Sequence, residues 1–144
     1  MKEKIKFRIW VAWLTQAEVG PIIYGMKNVL IVEDDDDIRD CLLLRIEAPT
    51  INVLTACNGV DAWDKINALK IDLVITDYRM PKMDGAKLTI LIKQSFPEIP
   101  IIWISTFDVQ ELELQDSVHS VLQKPFDTDI LKNKIEEILL LKSE

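Results

Sequence analysis

Four short apolar runs in this sequence are each followed by acidic, hydroxyl or amine side chains. The runs and the residues after them are 29–32 with Glu33 and Asp34, 73–76 with Asp77, 101–104 with Ser105, and 121–123 with Lys124. In open parallel α/β sheets, ligands bind outside the carboxyl ends of the strands. If the four runs are parallel strands, these five side chains are expected to meet at one edge of the sheet.

The chemistry that this set favours is phosphoryl transfer with a divalent cation. Three carboxylates at one edge repel one another, and without compensation the pKa of at least one of them would rise. Hard oxygen donors without His or thiolate favour Mg²⁺, which also coordinates phosphate. Lys124 can pair with a phosphoryl oxygen, and the Ser105 hydroxyl can hydrogen-bond another. Asp77 is then the natural nucleophile, and it would form an aspartyl phosphate.

Short apolar runs alternate with segments of helical periodicity from residue 29 onward. This alternation is typical of a parallel sheet that is covered by helices on both faces. The predicted strands are 29–32, 52–55, 73–76, 101–104 and 121–123. The sequence therefore predicts an α/β fold.

Five helical segments are predicted between and after these strands. They are 37–47, stopped by Pro49; 60–69, after the Asn58-Gly59 turn; 86–94, before Pro97; a poorly defined piece within 109–117; and a last helix opened by Asp127 or Thr128. The second segment is expected to bury Ala62, Ile66 and Leu69 on one stripe. The fourth alternates leucine with glutamate over 111–114, so a short irregular helix or an extended piece is expected there.

Length and composition predict one domain that does not bind nucleic acid directly. The 144 residues are 49% hydrophobic, which suffices for a single sizeable core. The 17 Lys and Arg against 24 Asp and Glu give a net charge of −7, whereas nucleic-acid-binding surfaces are basic. Cys41 and Cys57 lack metal-ligand spacing and His119 has no nearby partner. Zinc is therefore disfavoured, and two reduced cytosolic thiols are expected.

Residues 1–25 differ in composition from 26–144 and are interpreted as a leader or N-terminal extension. They carry a net charge of +2, and their apolar run is far too short to span a bilayer. The simplest interpretation is an extraneous leader, such as a mis-called start, that is not native or is partly disordered. The alternative is an amphipathic arm that docks on a partner or on the domain, because Ile5, Phe7 and Ile9 alternate with basic residues. A signal peptide is less supported, since no long apolar segment follows.

Each of the polar groups at the strand ends also has an ordinary structural explanation. Residues 33–37 can form a solvated acidic loop, and Asp77, Ser105 and Lys124 can cap a turn or contact backbone and solvent. Together these explanations fail, because they do not account for polar groups at the ends of four strands. The four tryptophans are interpreted as packing or leader residues, since no basic groove accompanies them.

Four segments resemble the signature segments of bacterial two-component response-regulator receiver domains, in the same order and with near-usual spacing. They are VLIVED at 29–34, DLVITDYRMPKMDG at 72–85, PIIWIS at 100–105 and KPF at 124–126. The resemblance covers residues 26 to about 141, and the ordered set is far more specific than any one segment. It implies a flavodoxin-like, doubly wound, five-stranded parallel sheet with strand order 2-1-3-4-5 and helices on both faces.

The resemblance also implies Mg²⁺ as the cofactor and a role for individual residues. The implied metal ligands are Glu33, Asp34, Asp77 and the main-chain carbonyl of Arg79. The implied catalytic residues are Asp77, which takes the phosphoryl group, Ser105 and Lys124. Ser105 is also the implied switch hydroxyl, and Lys124 precedes a cis-prone Pro125.

This sequence departs from the family pattern at positions that affect the readout. Val121 stands three residues before Lys124, where a receiver usually carries the switch aromatic that moves together with the hydroxyl. The segment before Val121 is also shorter than usual, so a reshaped output surface is expected. Thr106 is larger than the usual Ala or Gly and should narrow access to the phosphoryl group. Because Arg79 and Phe107 occupy positions that tune attack by water, slow hydrolysis is expected.

The function that the resemblance implies is that of a stand-alone, chemotaxis-regulator-like response regulator in the cytoplasm. A sensor histidine kinase or phosphotransfer protein would donate to Asp77, and the new charge would alter protein binding or precede onward phosphotransfer. No output domain is expected, so the readout would require a downstream protein target. Direct nucleic-acid and membrane contacts are not expected, and dimerisation stays open. No enzymatic activity is expected beyond the protein's own phosphorylation and dephosphorylation.

Two alternatives remain. One is a phosphorylation-independent adaptor with the receiver fold, which Val121 and the shortened segment before it favour. The other is a hydrolase of the haloacid-dehalogenase type, which also forms an aspartyl phosphate. That family needs a second Asp two residues after the nucleophile, and this chain has Arg79 there, which disfavours the hydrolase.

Overall fold

The structure of the chain is a computed structural model that describes residues 25–106 and 114–143. The strands form one five-stranded parallel sheet in the order β2-β1-β3-β4-β5. They are β1 Lys27–Val32, β2 Ile51–Ala56, β3 Leu73–Asp77, β4 Ile101–Ser105 and β5 Ser120–Gln123. The expected fold class and strand order are therefore confirmed, and the ends of each strand lie within two residues of the predicted ones.

Four α-helices and a one-turn 3-10 helix lie among the described residues. They are α1 Asp36–Ile46, α2 Gly59–Ala68, α3 Gly85–Ser95, α4 Thr128–Ser143, and the 3-10 helix Gln115–Ser117. The first three α-helices begin after an N-cap side chain, from Asp35, Asn58 or Asp84, that accepts a backbone hydrogen bond. Asp127 precedes α4, and its carboxylate accepts from the Asp129 N–H at 2.9 Å, as expected of a residue that opens this helix.

The sheet separates two apolar layers. On one face, α1 and α4 contribute Leu42 and Leu131 to a core with Ile31. On the other face, α2 and α3 contribute residues such as Leu88 to a core that contains Trp103. Strands that are buried on both faces need apolar residues at successive positions, which explains the continuous apolar runs in the sequence.

One predicted core position is wrong. Leu69 follows the last residue of α2, where the backbone is extended with φ −130° and ψ 153°. Its side chain is 48% exposed. Because the helix ends before Leu69, the buried stripe of α2 contains Ala62 and Ile66 but not this leucine.

Parts of two predicted segments lie outside the described residues. These parts are residues 1–24 of the leader and residues 109–113 of the poorly defined fourth helical segment. The described part of that segment is a turn at Leu114 followed by the 3-10 helix, so it is irregular. Across 25–106 and 114–143, no helix has the length and apolar character needed to cross a bilayer.

Candidate functional site

The end of β1 turns one carboxylate inward and the next one outward. Glu33 is 2% exposed, whereas Asp34 is exposed. The Glu33 N–H donates to the Ala56 carbonyl at 3.1 Å, and the Arg39 guanidinium donates to the Glu33 carbonyl at 2.9 Å. The backbone that carries both acids is therefore held by β2 on one side and by α1 on the other.

The last residue of β3 is Asp77, whose side chain is 15% exposed. Asp77 pairs with Ile104 of β4, and the N–H of the next residue, Tyr78, donates to the Ile104 carbonyl at 2.8 Å. Beyond the loop that follows, the start of α3 returns to this point. A Cβ on Gly85 would lie 2.3 Å from the Asp77 carbonyl oxygen, so only glycine allows this close approach.

The two strand ends bring three carboxylates together in what we call the acid cluster: Glu33, Asp34 and Asp77. Ligand oxygens of all three lie within 4.8 Å of one another. Burial raises the pKa of Glu33 above its ordinary value, and the charge of Asp77 raises it further. Burial is also the main cause of the raised pKa of Asp77, to which the charge of Asp34 adds. The ionised forms of Glu33 and Asp77 are therefore disfavoured by this environment, and a nearby cation would favour them.

Lys124 follows β5 and points its amine at the acid cluster. Its Nζ lies 3.4 Å from Asp77 Oδ2 and 3.5 Å from Glu33 Oε2, and its charge lowers the pKa of both acids without reversing the rise. The Lys124 N–H donates to the Ser105 carbonyl at 2.7 Å, which extends the pairing of β4 with β5. The Lys124–Pro125 peptide bond is cis, as the family resemblance implies.

The donor set of the acid cluster fits Mg²⁺. Three carboxylates and one ammonium leave two formal negative charges, which a divalent cation would offset. All three side-chain donors are carboxylate oxygens, and no His or thiolate belongs to the cluster among the described residues. Hard oxygen donors of this kind are the ligands that Mg²⁺ prefers.

Ser105 and Arg79 lie beside the acid cluster through their positions in the chain. Ser105 is the last residue of β4, directly after the Ile104 that pairs with Asp77, and it is 1% exposed. Arg79 lies in the loop between β3 and α3, two residues after Asp77, with an exposed side chain. The expectations for these two residues, a hydroxyl and a main-chain carbonyl aimed at the site, stay predictions. So does the role of Phe107, which lies outside the described residues.

Val121 lies inside β5, three residues before Lys124, and not at the carboxyl end of the strand where the site is. It pairs with Trp103 of β4 and is half-buried against the core on the α2 and α3 side. Trp103 is fully buried, as expected of a packing residue. A large, fully buried aromatic therefore lies on β4, next to the position on β5 where the family usually has an aromatic.

The sequence did not reveal a buried hydrogen bond that joins β4 to α3. The indole N–H of Trp103 donates to the Thr89 hydroxyl oxygen at 2.9 Å, and both side chains are fully buried. A signal existed, because Thr89 stands on the apolar face of α3 beside Leu88 and Ile92. A buried hydroxyl needs a partner, so a polar residue in that stripe predicts one without identifying it.

An apolar groove of about 420 Å³ opens beside Lys124. Its walls come from the start of α1, with Ile38 and Leu42, and from the segment after β5, with Pro125 and Phe126. The groove therefore lies next to the amine that contacts Asp77.

Comparison with known proteins identifies the same family along most of the chain. The family model for the response regulator receiver domain matches residues 29–136. Response regulator receiver protein CpdR of Brucella abortus is 32% identical over an alignment of 118 residues that covers 80% of this chain and 98% of that protein. Chemotaxis protein CheY1 of Helicobacter pylori is 34% identical over an alignment of 124 residues that covers 78% of this chain and 96% of that protein.

A solved structure gives the same result for the fold. Response regulator protein TrrA of Thermotoga maritima, in complex with Mg²⁺ and BeF, superposes with a TM-score of 0.72 at 28% identity. The match covers 78% of this chain and 99% of that one.

Proposed function

Because the chain belongs to the response-regulator receiver family, we propose that Asp77 accepts a phosphoryl group in an Mg²⁺-dependent reaction. The donor is a phosphohistidine of a sensor histidine kinase or of a phosphotransfer protein. The observation that carries the proposal is the meeting of the acid cluster with the amine of Lys124 at the carboxyl ends of three strands. Receiver domains act in two-component signalling, so the phosphorylated protein would carry the signal.

The chain's own residues supply a nucleophile and positive charge for this reaction. A carboxylate oxygen of Asp77 forms the new bond to phosphorus as the bond from phosphorus to the donor's imidazole nitrogen breaks. The electron pair of that bond stays on the nitrogen. Lys124, 3.4 Å from Asp77 Oδ2, pairs with an equatorial phosphoryl oxygen, and the Ser105 hydroxyl donates to another. Burial raises the pKa of Asp77, so nearby positive charge favours its ionised, nucleophilic form.

Glu33, Asp34, Asp77 and the main-chain carbonyl of Arg79 would hold the Mg²⁺ ion. When it is bound, the ion neutralises negative charge on the carboxylates and on the transferred group. Glu33 and Asp34 would approach the ion from different sides, because Glu33 is buried and Asp34 is exposed. Glu33 is fixed by the backbone around it, whereas Asp34 stands where solvent enters.

The apolar groove beside Lys124 favours a protein, rather than a small molecule alone, as the phosphoryl donor. A phosphohistidine must reach Asp77 from the open edge of the sheet, and the groove next to that edge is lined by apolar side chains that include Ile38, Pro125 and Phe126. Burying such side chains against a partner is favourable. We propose that the donor protein contacts this surface during transfer.

The phosphorylated protein signals through a downstream protein or passes the phosphoryl group onward. The added charge changes the balance of interactions around Ser105, which is one residue before the loop that leaves β4. By the family pattern, Arg79 and Phe107 occupy positions that tune attack by water, and Thr106 is larger than the usual residue at its position. We therefore expect slow hydrolysis, to be followed by intact mass after donor removal; loss within seconds would contradict it.

The direct test is phosphorylation by acetyl phosphate or phosphoramidate with Mg²⁺, followed by intact mass and peptide mapping. We expect one phosphoryl group on Asp77, and none with EDTA or in Asp77→Asn. The matched control is Asp84→Asn, which changes an exposed acid in the same loop and keeps a good helix cap. Equal uptake by Asp77→Asn, or mapping to another residue, would refute the proposal.

The surroundings of Val121 favour a second candidate, a phosphorylation-independent adaptor. Trp103, the β4 aromatic that pairs with Val121, is fully buried and hydrogen-bonded, and residue 121 carries no aromatic ring that could turn. Comparing partner binding by wild-type protein and Asp77→Asn under phosphodonor separates the two candidates. Equal affinity would favour the adaptor, and a difference would favour the phosphorylated signal.

A further inference from the structure

Trp103 and Thr89 form a buried polar link between the sheet and α3. The indole N–H donates to the Thr89 hydroxyl oxygen at 2.9 Å, and this hydroxyl donates to the Gly85 carbonyl at 2.7 Å. A threonine that hydrogen-bonds the carbonyl four residues earlier is common in helices. The additional donor from a neighbouring strand is what ties the first turn of α3 to β4.

Gly85 connects this link to the loop that follows Asp77. Its N–H donates to the Tyr78 carbonyl at 2.8 Å, which closes the loop over 78–85. The Tyr78 ring also packs on Trp103, with ring centroids 4.8 Å apart and planes at 56°. Trp103 therefore holds the start of the loop through its ring, and the end of the loop through its N–H and Thr89.

We propose that Thr89 and Trp103 are positioning residues that hold the 78–85 loop in its metal-binding arrangement. This inference rests on the proposed function, in which the main-chain carbonyl of Arg79, inside that loop, binds Mg²⁺. Neither side chain touches the site, so both act through Gly85 and Tyr78. The close approach of Gly85 to the Asp77 carbonyl means that a shift at the start of α3 reaches the phosphoryl acceptor directly.

A purely space-filling role would not require these polar atoms. An apolar pair of similar volume could fill the same space without the cost of burying an indole N–H and a hydroxyl, which must be offset by good hydrogen bonds. Those bonds are present, and within the described residues no buried side-chain polar atom lacks a partner. The polar groups add direction to the contact, since they fix the first turn of α3 relative to Trp103.

The test compares Thr89→Val, which keeps the shape but removes the hydroxyl, with Thr89→Ser, which keeps the hydroxyl but removes a methyl group. We expect Mg²⁺ affinity, measured by calorimetry on the full chain, to fall about tenfold in Thr89→Val, as for residues that orient metal ligands indirectly. Thr89→Ser should bind close to wild type. In metal-free protein, amide exchange over 78–85 should be faster in Thr89→Val and nearly unchanged in Thr89→Ser.

Two further variants keep the result interpretable. Ile92→Val removes one methylene from the same buried face of α3 and should lower the thermal midpoint without changing Mg²⁺ affinity. Trp103→Phe keeps a ring against Tyr78 but removes the N–H, so it should also weaken Mg²⁺ binding. It serves as the test variant if Thr89→Val does not fold. Wild-type affinity in both Thr89→Val and Trp103→Phe would overturn the inference. Absence of Mg²⁺ binding by the wild type would instead refute the proposed function.

Discussion

The two ends of the sheet bury acidic side chains in opposite ways. At the amino end, Asp72 is 6% exposed, and its carboxylate accepts from the Asn28 N–H at 2.8 Å. The Asn28 side chain donates to the Lys70 carbonyl at 2.6 Å and accepts from the Asn52 amide at 3.0 Å. We call Asn28, Asn52 and Asp72 the amino-end cluster. Its polar groups hydrogen-bond one another and join β1, β2 and the start of β3.

At the carboxyl end, the three carboxylates of the acid cluster lie close to one another, although the Asp35 N–H donates to Glu33 Oε1 at 3.2 Å. Glu33 is buried and Asp77 is partly buried, both lie close to Asp34, and the amine of Lys124 supplies the nearby opposite charge. Burial and mutual repulsion raise the pKa of Glu33 and Asp77 here. A buried acid that is held by a backbone amide donor is suited to stabilise the fold, whereas acids that repel one another are suited to bind a ligand.

The largest expected contrast is in phosphoryl uptake after removal of one lysine. Lys124→Met should slow uptake from acetyl phosphate about a hundredfold, because it removes positive charge from the transferred group. It should not abolish Mg²⁺ binding, since the acid cluster is intact. The control at the other end is Lys70→Met, whose exposed side chain should leave the rate unchanged. The rates of phosphoryl uptake are measured by mass spectrometry over time. Equal rates for the two variants would show that Lys124 has no special role at the carboxyl end of the sheet.

The next contrast is in folding stability. Asp72→Ala leaves the Asn28 N–H without its carboxylate acceptor, so we expect a loss of about 2 kcal/mol in the free energy of unfolding. Urea denaturation with EDTA measures this loss, and Asp64→Ala on the exposed face of α2 is the matched control. Mg²⁺ affinity of Asp72→Ala should equal that of wild type. A stability like that of the control would show that the amino-end cluster does not stabilise the fold.

The smallest contrast concerns pH. Glu33 and Asp77 have pKa values above their ordinary 4.5 and 3.8 in the folded chain, so the folded state keeps protons that the unfolded state releases. Their contribution to stability is therefore present below those ordinary values and is lost as pH rises through the raised ones. Stability of metal-free wild type relative to Asp77→Asn should fall across that window. A difference that is flat or rises with pH would contradict the raised pKa of Asp77.

Much of the site could be predicted because strand ends are readable in a parallel sheet. Apolar runs end where strands end, and this located Glu33, Asp34, Asp77 and Lys124 at one edge. The sequence could not show that Glu33 is buried and Asp34 exposed, since this depends on how the chain turns as it leaves β1. The prediction that Leu69 is buried was wrong, because helical periodicity does not show where a helix ends.

The link between Trp103 and Thr89 was not predictable for a different reason. The two residues belong to elements whose relative rotation is set by packing throughout the core on the α2 and α3 side. Sequence periodicity places each side chain on a face of its own element, but it does not specify the partner across the interface. The position of Val121 beside Trp103 follows from strand register, which the sequence also leaves open.

Two glycines that lie close to neighbouring main chain affect how mutational data on this protein should be interpreted. A Cβ on Gly59 would lie 2.4 Å from the Met83 carbonyl oxygen, and one on Gly85 would lie 2.3 Å from that of Asp77. In a saturation library, substitutions at either glycine should therefore inactivate the protein as thoroughly as loss of a charged site residue. The loss of function in these variants would reflect steric crowding between main chains. A ranking of positions by lost function alone would therefore place two glycines, which have no reactive side chain, among the reactive residues.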